Sequence, residues 1–171
     1  VKKYKSNILT CTRQFSYTSQ NKNTIDIVLS LNGIPVVAME LKNQLTGQSV
    51  NNAKRQFMYD RDEKEFCFRF NNRFLVYFCV DLYEVTMTTQ LQGEKTYFLP
   101  FNQGSNGAGN IGDGGNPKCE DGYATSYLWE YVLNPEMLLS IFQRYISKQT
   151  TESISLVNGK KVTKTKTILV F

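Results

Sequence analysis

Asn32-Gly33 sits between two apolar-rich runs, Thr24 to Leu31 and Ile34 to Lys42. An Asn-Gly pair supplies the positive-φ residues that a tight turn between antiparallel strands requires, so it is a strong hairpin signal. The register of that hairpin decides what the chain can present. With a two-residue loop, Asp26 faces Met39 and Glu40 points to the opposite side of the sheet. With a three-residue loop, or with a bulge near the turn, Asp26 faces Glu40 and Thr24 faces Lys42. Pro35 cannot donate to a ladder, which favours a bulge there. The apolar pattern selects the second register. Ile25, Ile27, Leu29 and Leu31 then lie opposite Leu41, Met39, Val37 and Pro35 on one face, and Asp26, Glu40 and Lys42 share the other.

Two carboxylates and a lysine on one face form a constellation with a use. Carboxylate oxygens are hard ligands suited to Mg²⁺, which takes few protein ligands and keeps several waters. Such a cation lowers the pKa of a bound water and offsets charge at a phosphoryl centre. An adjacent ammonium can orient the attacking water. The bare pattern equally describes a solvent-facing strand with a Lys–Glu pair. Val28, Val36 and Ala38 fall on the charged face, however, so that face is not simply solvated.

Composition narrows the chemistry further. The chain contains no His, which removes Ser-His-Asp and Cys-His catalysis and His-ligated zinc. Its four cysteines, Cys11, Cys67, Cys79 and Cys119, form no C-x-x-C pair, and Cys67 and Cys79 read as small core residues. The net charge of +5 suits a polyanionic partner without requiring one. The expected home is a reducing cytoplasm, with no membrane contact. The chain begins at Val1 and stops in an apolar run at Phe171, as a piece of a longer protein would.

Along the chain, Ile8 to Tyr17 reads as a further strand. A helix is expected from about Gly47 to Asp62, with Val50, Ala53, Phe57 and Met58 as its apolar stripe. Lys54, Arg55 and Arg61 are left to point outward, where they are candidate phosphate contacts. Strands follow at Arg73 to Asp81, Glu84 to Leu91 and Lys95 to Phe101. Asn102 to Gly122 is a Gly-rich loop whose G-x-G-x-x-G match at Gly107 opens no helix, so a dinucleotide site is not expected. Ser126 to Leu133 reads as helical, and Asn134-Pro135 caps a second helix running to about Ser147. Ile154 to Val157, Asn158-Gly159 and Val162 to Phe171 give a second hairpin, with Lys160, Lys161, Lys164 and Lys166 in its basic arm. The order of elements predicts an α/β fold with a mixed central β-sheet flanked by helices.

Several segments together resemble one family. Ile-Asp26-Ile, Asn32-Gly33, Glu40-Leu-Lys42-Asn43 and Thr46-Gly47-Gln48 look like the nuclease motif of type I restriction motor subunits, within the PD-(D/E)xK superfamily. The likeness continues through Arg55-Gln56-Phe57, Asp60-Arg61, Phe74-Leu-Val76, Val85-Thr-Met87-Thr-Thr89, Phe98-Leu-Pro-Phe-Asn102 and Thr125-Ser-Tyr-Leu-Trp-Glu130. The resemblance implies a restriction-endonuclease-like core that cleaves double-stranded DNA. Asp26 and Glu40 would bind Mg²⁺, Lys42 would be the catalytic lysine, and Gln56 a helper on the following helix. The chain departs from the family's Q-x-x-x-Y form: Tyr59 comes three residues after Gln56, and Asp60 stands where the Tyr is expected. A surface glutamine is an equal reading of Gln56.

The resemblance also implies partners. ATP would bind outside this piece, and modification and specificity subunits would complete the complex. Residues 1–150 are expected to form the nuclease domain, and 151–171 a linker or hairpin leading toward a translocase domain. The alternative is a non-catalytic DNA-binding or subunit-docking module.

Overall fold

The computed structural model describes residues 5–157 and 160–170. Six strands form one sheet in sequence order: β1 (Leu9–Ser16), β2 (Thr24–Leu31), β3 (Ile34–Leu41), β4 (Val76–Val80), β5 (Val85–Thr88) and β6 (Leu99–Pro100). All neighbours are antiparallel except β3 and β4, which run parallel. A parallel pair needs a crossover, and helix α1 (Val50–Tyr59) lies in that connection. The fold is therefore mixed α/β, as the order of elements predicts.

The β2–β3 hairpin takes the register that the apolar pattern selects, and reaches it through a bulge. Leu31 pairs with Ile34 and Ser30 with Pro35 next to the turn, while Leu29 pairs with Val37, Val28 with Ala38 and Ile27 with Met39. Val36 is the extra residue. It joins the core on the face opposite α1, not the charged face expected of it, because an unpaired bulge residue leaves the two-residue alternation. Ile25 also departs from alternation and joins the α1-side core with Val28 and Ala38. It lies beside a break in the β1–β2 ladder, where Gln14 sits opposite Asp26 with φ at 49°.

Each sheet face has its own cover. On one, the stripe Val50, Ala53 and Phe57 of α1 is fully or almost fully buried against Ala38, Tyr77 and Cys79. The Phe57 and Tyr77 rings meet edge to face at 5.4 Å, an arrangement their quadrupoles favour. On the other, Met39, Phe78, Val80 and Met87 pack with Tyr127, Leu128, Leu133 and Leu138. These come from a short π-helical turn (Leu128–Val132) with its flanking residues Tyr127 and Leu133, and from helix α2 (Pro135–Arg144), which Asn134 caps by accepting the Glu136 N–H.

Several expected bounds shrink for identifiable reasons. Gly47, at φ 74°, closes a 3-10 turn over Gln44–Thr46 and so cannot belong to α1. Helix α1 starts instead where the Asp81 carboxylate accepts the Val50 N–H at 2.8 Å. The strand expected from Lys95 is only Leu99–Pro100, since Thr96 is spent on a turn, donating its hydroxyl to Gly93 O at 2.6 Å. The Gly-rich loop is pinned at both ends: Asn102 accepts from Val85 N, and Asn116 donates to Tyr83 O. The second hairpin is longer than expected, with β7 at Ser147–Val157 and β8 at Lys160–Val170. Its Asn158-Gly159 turn lies outside the described residues.

Candidate functional site

Asp26, Glu40 and Lys42 meet at one end of the β2–β3 hairpin. The Lys42 Nζ lies 3.8 Å from Asp26 Oδ2 and 3.9 Å from Glu40 Oε2. It thus sits between two carboxylates at ion-pair distance from each. The backbone fixes this meeting. The Lys42 N–H donates to Val80 O at 2.8 Å, extending the parallel ladder one residue past β3. Asp26 Oδ2 accepts the Leu41 N–H at 2.9 Å, so the side chain replaces a ladder bond where β2 and β3 part. Gln14 donates its amide to Asp26 Oδ1 at 3.0 Å and accepts from the Thr24 hydroxyl at 2.6 Å. The carboxylate of Asp26 is therefore oriented from two sides.

Glu40 is completely buried. Its Oε1 accepts a 2.7 Å charge-assisted bond from Arg61 Nη2, and its Oε2 is buried with no hydrogen-bond partner. Burial pushes its carboxyl up to about 8; the Arg61 guanidinium pulls it down and the Asp26 carboxylate raises it again. Near neutral pH this group is mostly protonated unless further positive charge arrives. A buried carboxylate oxygen that accepts no hydrogen bond, beside a second carboxylate, fits a hard divalent cation. Among the described residues no group of three or more His, Cys, Asp or Glu side chains gathers as a metal cage. A cation held here would take Asp26 and Glu40 and complete its shell with water, as Mg²⁺ commonly does.

Arg61 is not on the solvated helix face. It is 3% exposed, bonded to Glu40, donates to Thr24 O at 2.7 Å and lies 5.4 Å from the Tyr17 ring centre. It cannot serve as a surface phosphate contact while so engaged. The sequence held a signal for this: Arg61 follows Phe57 by four residues and continues the buried stripe of Val50, Ala53 and Phe57. Gln14 had no such local signal, since only the β1–β2 register sets it opposite Asp26. Lys54 is half-buried and donates to Asn51 at 3.4 Å. Arg55 is exposed, 6.0 Å from the Tyr59 ring centre.

Beside Lys42 opens a polar groove of about 290 Å³, walled by α1 through Asn52, Arg55, Gln56 and Tyr59. Gln56 and Lys42 thus border the same space. Tyr59, three residues after Gln56, borders it as well, so the altered spacing keeps both on one side of the helix.

Asp81 is a second buried carboxylate, one that no sequence pattern singles out. Its Oδ2 accepts from Val50 N and from the Gln44 amide at 3.1 Å, and its Oδ1 from Tyr83 N and Glu84 N, both at 2.9 Å. It ties the start of α1 to the β4–β5 turn, close to where Lys42 pairs with Val80. With its oxygens so occupied, it supports the site without lining it.

The chain matches the family model for the N terminus of the type I restriction enzyme R protein over residues 1–96. The match runs from β1 through β5 and contains Asp26, Glu40, Lys42, Gln56 and Arg61; the resembling segments from Phe98 to Glu130 lie beyond it. No curated protein and no solved structure matches the chain. No helix among the described residues is long and apolar enough to cross a membrane. The matched span is more than half of the 171 residues, and the chain belongs to the family of type I restriction enzyme R protein N-terminal regions.

Proposed function

We propose that this chain supplies a Mg²⁺-dependent endonuclease site for double-stranded DNA within a type I restriction-modification complex. The observation that carries the reading is the convergence of Asp26, Glu40 and Lys42, with the Lys42 ammonium within 4 Å of both carboxylates and one buried Glu40 oxygen accepting no hydrogen bond. Asp26 and Glu40 would hold the cation, which supplies charge to the scissile phosphate and acidity to a bound water. Lys42, only 11% exposed at its side chain, keeps its charge aimed at the carboxylate pair and the mouth of the groove. There it can hold an attacking water by hydrogen bond and offset phosphate charge. Gln14 and Leu41 N keep Asp26 from rotating. The positive-φ conformation of Gln14 is the kind of backbone strain that functional sites retain. Gln56, Arg55 and Tyr59 line the approach to Lys42 and would position DNA. ATP would act outside this chain, and modification and specificity subunits would supply methylation and sequence reading, in a prokaryotic cytoplasm.

A second reading has one observation behind it. Arg61 already satisfies one Glu40 oxygen, as expected of an idle site in a DNA-gripping or subunit-docking module. Mg²⁺-dependent cleavage by the subunit complex, with and without Lys42→Ala, separates the two. A loss of roughly 10²–10⁴-fold in cleavage, with DNA binding kept, is expected for a nuclease. Unchanged cleavage in the variant rules out the catalytic assignment.

A further inference from the structure

The +5 charge of the chain is concentrated at one place. Residues 147–171 hold five lysines and one glutamate; the first 146 residues hold fifteen Lys and Arg against fourteen Asp and Glu. The sheet domain with the candidate nuclease site is thus almost neutral, and the C-terminal hairpin carries a net +4. General solubility would not require that asymmetry. A polyanion partner would exploit it.

The hairpin's form fits such a partner. Strands β7 and β8 pair only with each other, over eleven residue pairs from Ser147↔Val170 to Val157↔Lys160. Residues 147–155 are all exposed, so both faces of the ribbon meet solvent. Among the described residues the ribbon is anchored at its base: Leu169 is buried, the Thr89 hydroxyl donates to Leu169 O at 2.7 Å, and Ile168 and Val170 border one pocket together with Met87, Tyr97 and Leu99. That anchor is at the Thr88 end of β5, away from the Val85 end that pairs with Val80 beside Lys42. The ribbon and the candidate nuclease site are separate features.

Register distributes the lysines. Lys164 and Lys166, opposite Ser153 and Thr151, point to one face; Lys161 and Lys148, which is opposite Leu169, point to the other. Among the described residues none of these four forms an ion pair. Eight Ser and Thr residues fill much of the remaining ribbon. Hydroxyls and lysines are common donors to phosphate oxygens. Two strand residues advance about 6.6 Å, close to the roughly 6.8 Å that two phosphates of one DNA strand advance along the helix axis. A two-stranded ribbon also fits the major groove, where a phosphate backbone runs along each side.

We propose that the β7–β8 ribbon is a second DNA contact, which grips the phosphate backbone of duplex DNA through Lys148, Lys161, Lys164 and Lys166 without reading sequence. The choice of DNA as the polyanion rests on the proposed nuclease function; the site and its residues do not overlap with it. An anionic membrane surface would call for apolar side chains along one face. Beyond the base, the described ribbon exposes one large apolar side chain, Ile154, set among hydroxyls.

The test is the binding of the 171-residue chain to a random-sequence duplex, measured by fluorescence anisotropy in EDTA so that no cleavage occurs. Affinity is followed from about 50 to about 200 mM salt. The variant Lys148→Gln/Lys161→Gln/Lys164→Gln/Lys166→Gln is expected to make the slope of log affinity against log salt shallower by up to about 3.6, so that across that range its affinity falls on the order of 100-fold less than the wild type's. The matching four-fold Lys→Arg variant is expected to keep the slope, and the pair Lys164→Gln/Lys166→Gln to lose about half of it. An unchanged slope in the four-fold Gln variant overturns the proposal, as does self-association of that variant with DNA binding intact, because the lysines would then only be guarding ribbon edges. Retained DNA binding with lost binding to phosphatidylserine vesicles also overturns it, in favour of a membrane. Cleavage by the complex with Lys42→Ala is read separately: if the nuclease reading fails there, the salt slope still reports on the ribbon.

Discussion

Glu40→Gln isolates the electrostatics of the candidate site. In the folded chain the Glu40 carboxyl is raised from 4.5 to about 8, chiefly by burial. A raised folded value means that the native state holds a proton which the unfolded chain releases. The resulting stability is fully present below about pH 4.5 and is lost as pH rises through about 8. A tenfold change in acidity is worth about 1.4 kcal/mol, so the wild type should lose about 4 kcal/mol from this group between about pH 5 and about pH 9. Glutamine keeps the shape and an oxygen for Arg61 but cannot ionise. Urea unfolding of both proteins across that range, in EDTA, should show the variant gaining on the wild type as pH rises. Mg²⁺ should shrink the wild-type loss by favouring the ionised carboxylate, and should leave Glu40→Gln nearly unchanged. Parallel pH profiles for the two proteins would refute the reasoning, since Glu40 would then titrate as an ordinary surface acid.

Arg61→Met should destabilise by roughly 1–3 kcal/mol near neutral pH, because it leaves a buried carboxyl without its donor, and Glu40→Gln in the same chain should recover part of that loss; equal, additive losses in a double-mutant cycle by urea unfolding would deny the coupling. Asp81→Ala should cost roughly 2–4 kcal/mol through the lost helix cap and the unpaired N–H groups of Val50, Tyr83 and Glu84, read as a fall in the denaturation midpoint. Gln56→Ala should leave stability within about 0.5 kcal/mol, as expected for a polar position bordering a groove, while slowing cleavage by the subunit complex; full activity would make Gln56 a surface residue.

Much of the candidate site was legible because it depends on local periodicity. The two-residue alternation of β2 and β3, the Asn32-Gly33 turn and the awkward Pro35 together specify the bulged register, and with it the shared face of Asp26, Glu40 and Lys42. The same holds for the stripe of α1 and the Asn134-Pro135 cap. Alternation failed at Val36 and Ile25, beside the bulge and the ladder break, where its premise of unbroken pairing does not hold.

What the chain does with its charges was settled by tertiary packing. Arg61 reads as pointing outward with Lys54 and Arg55, yet it is folded under the sheet end, where the buried Glu40, 21 residues away in sequence, accepts its bond. Gln14 reaches Asp26, and Asp81 reaches Val50, by pairings that no local pattern encodes. The charge of the last hairpin could be counted from the sequence, but only the fold sets those lysines on a free ribbon away from an almost neutral body. Sequence patterns fix which face of an element is apolar. The partner of a polar group depends on which elements meet, and that is decided only when the sheet and its covering helices close around the core.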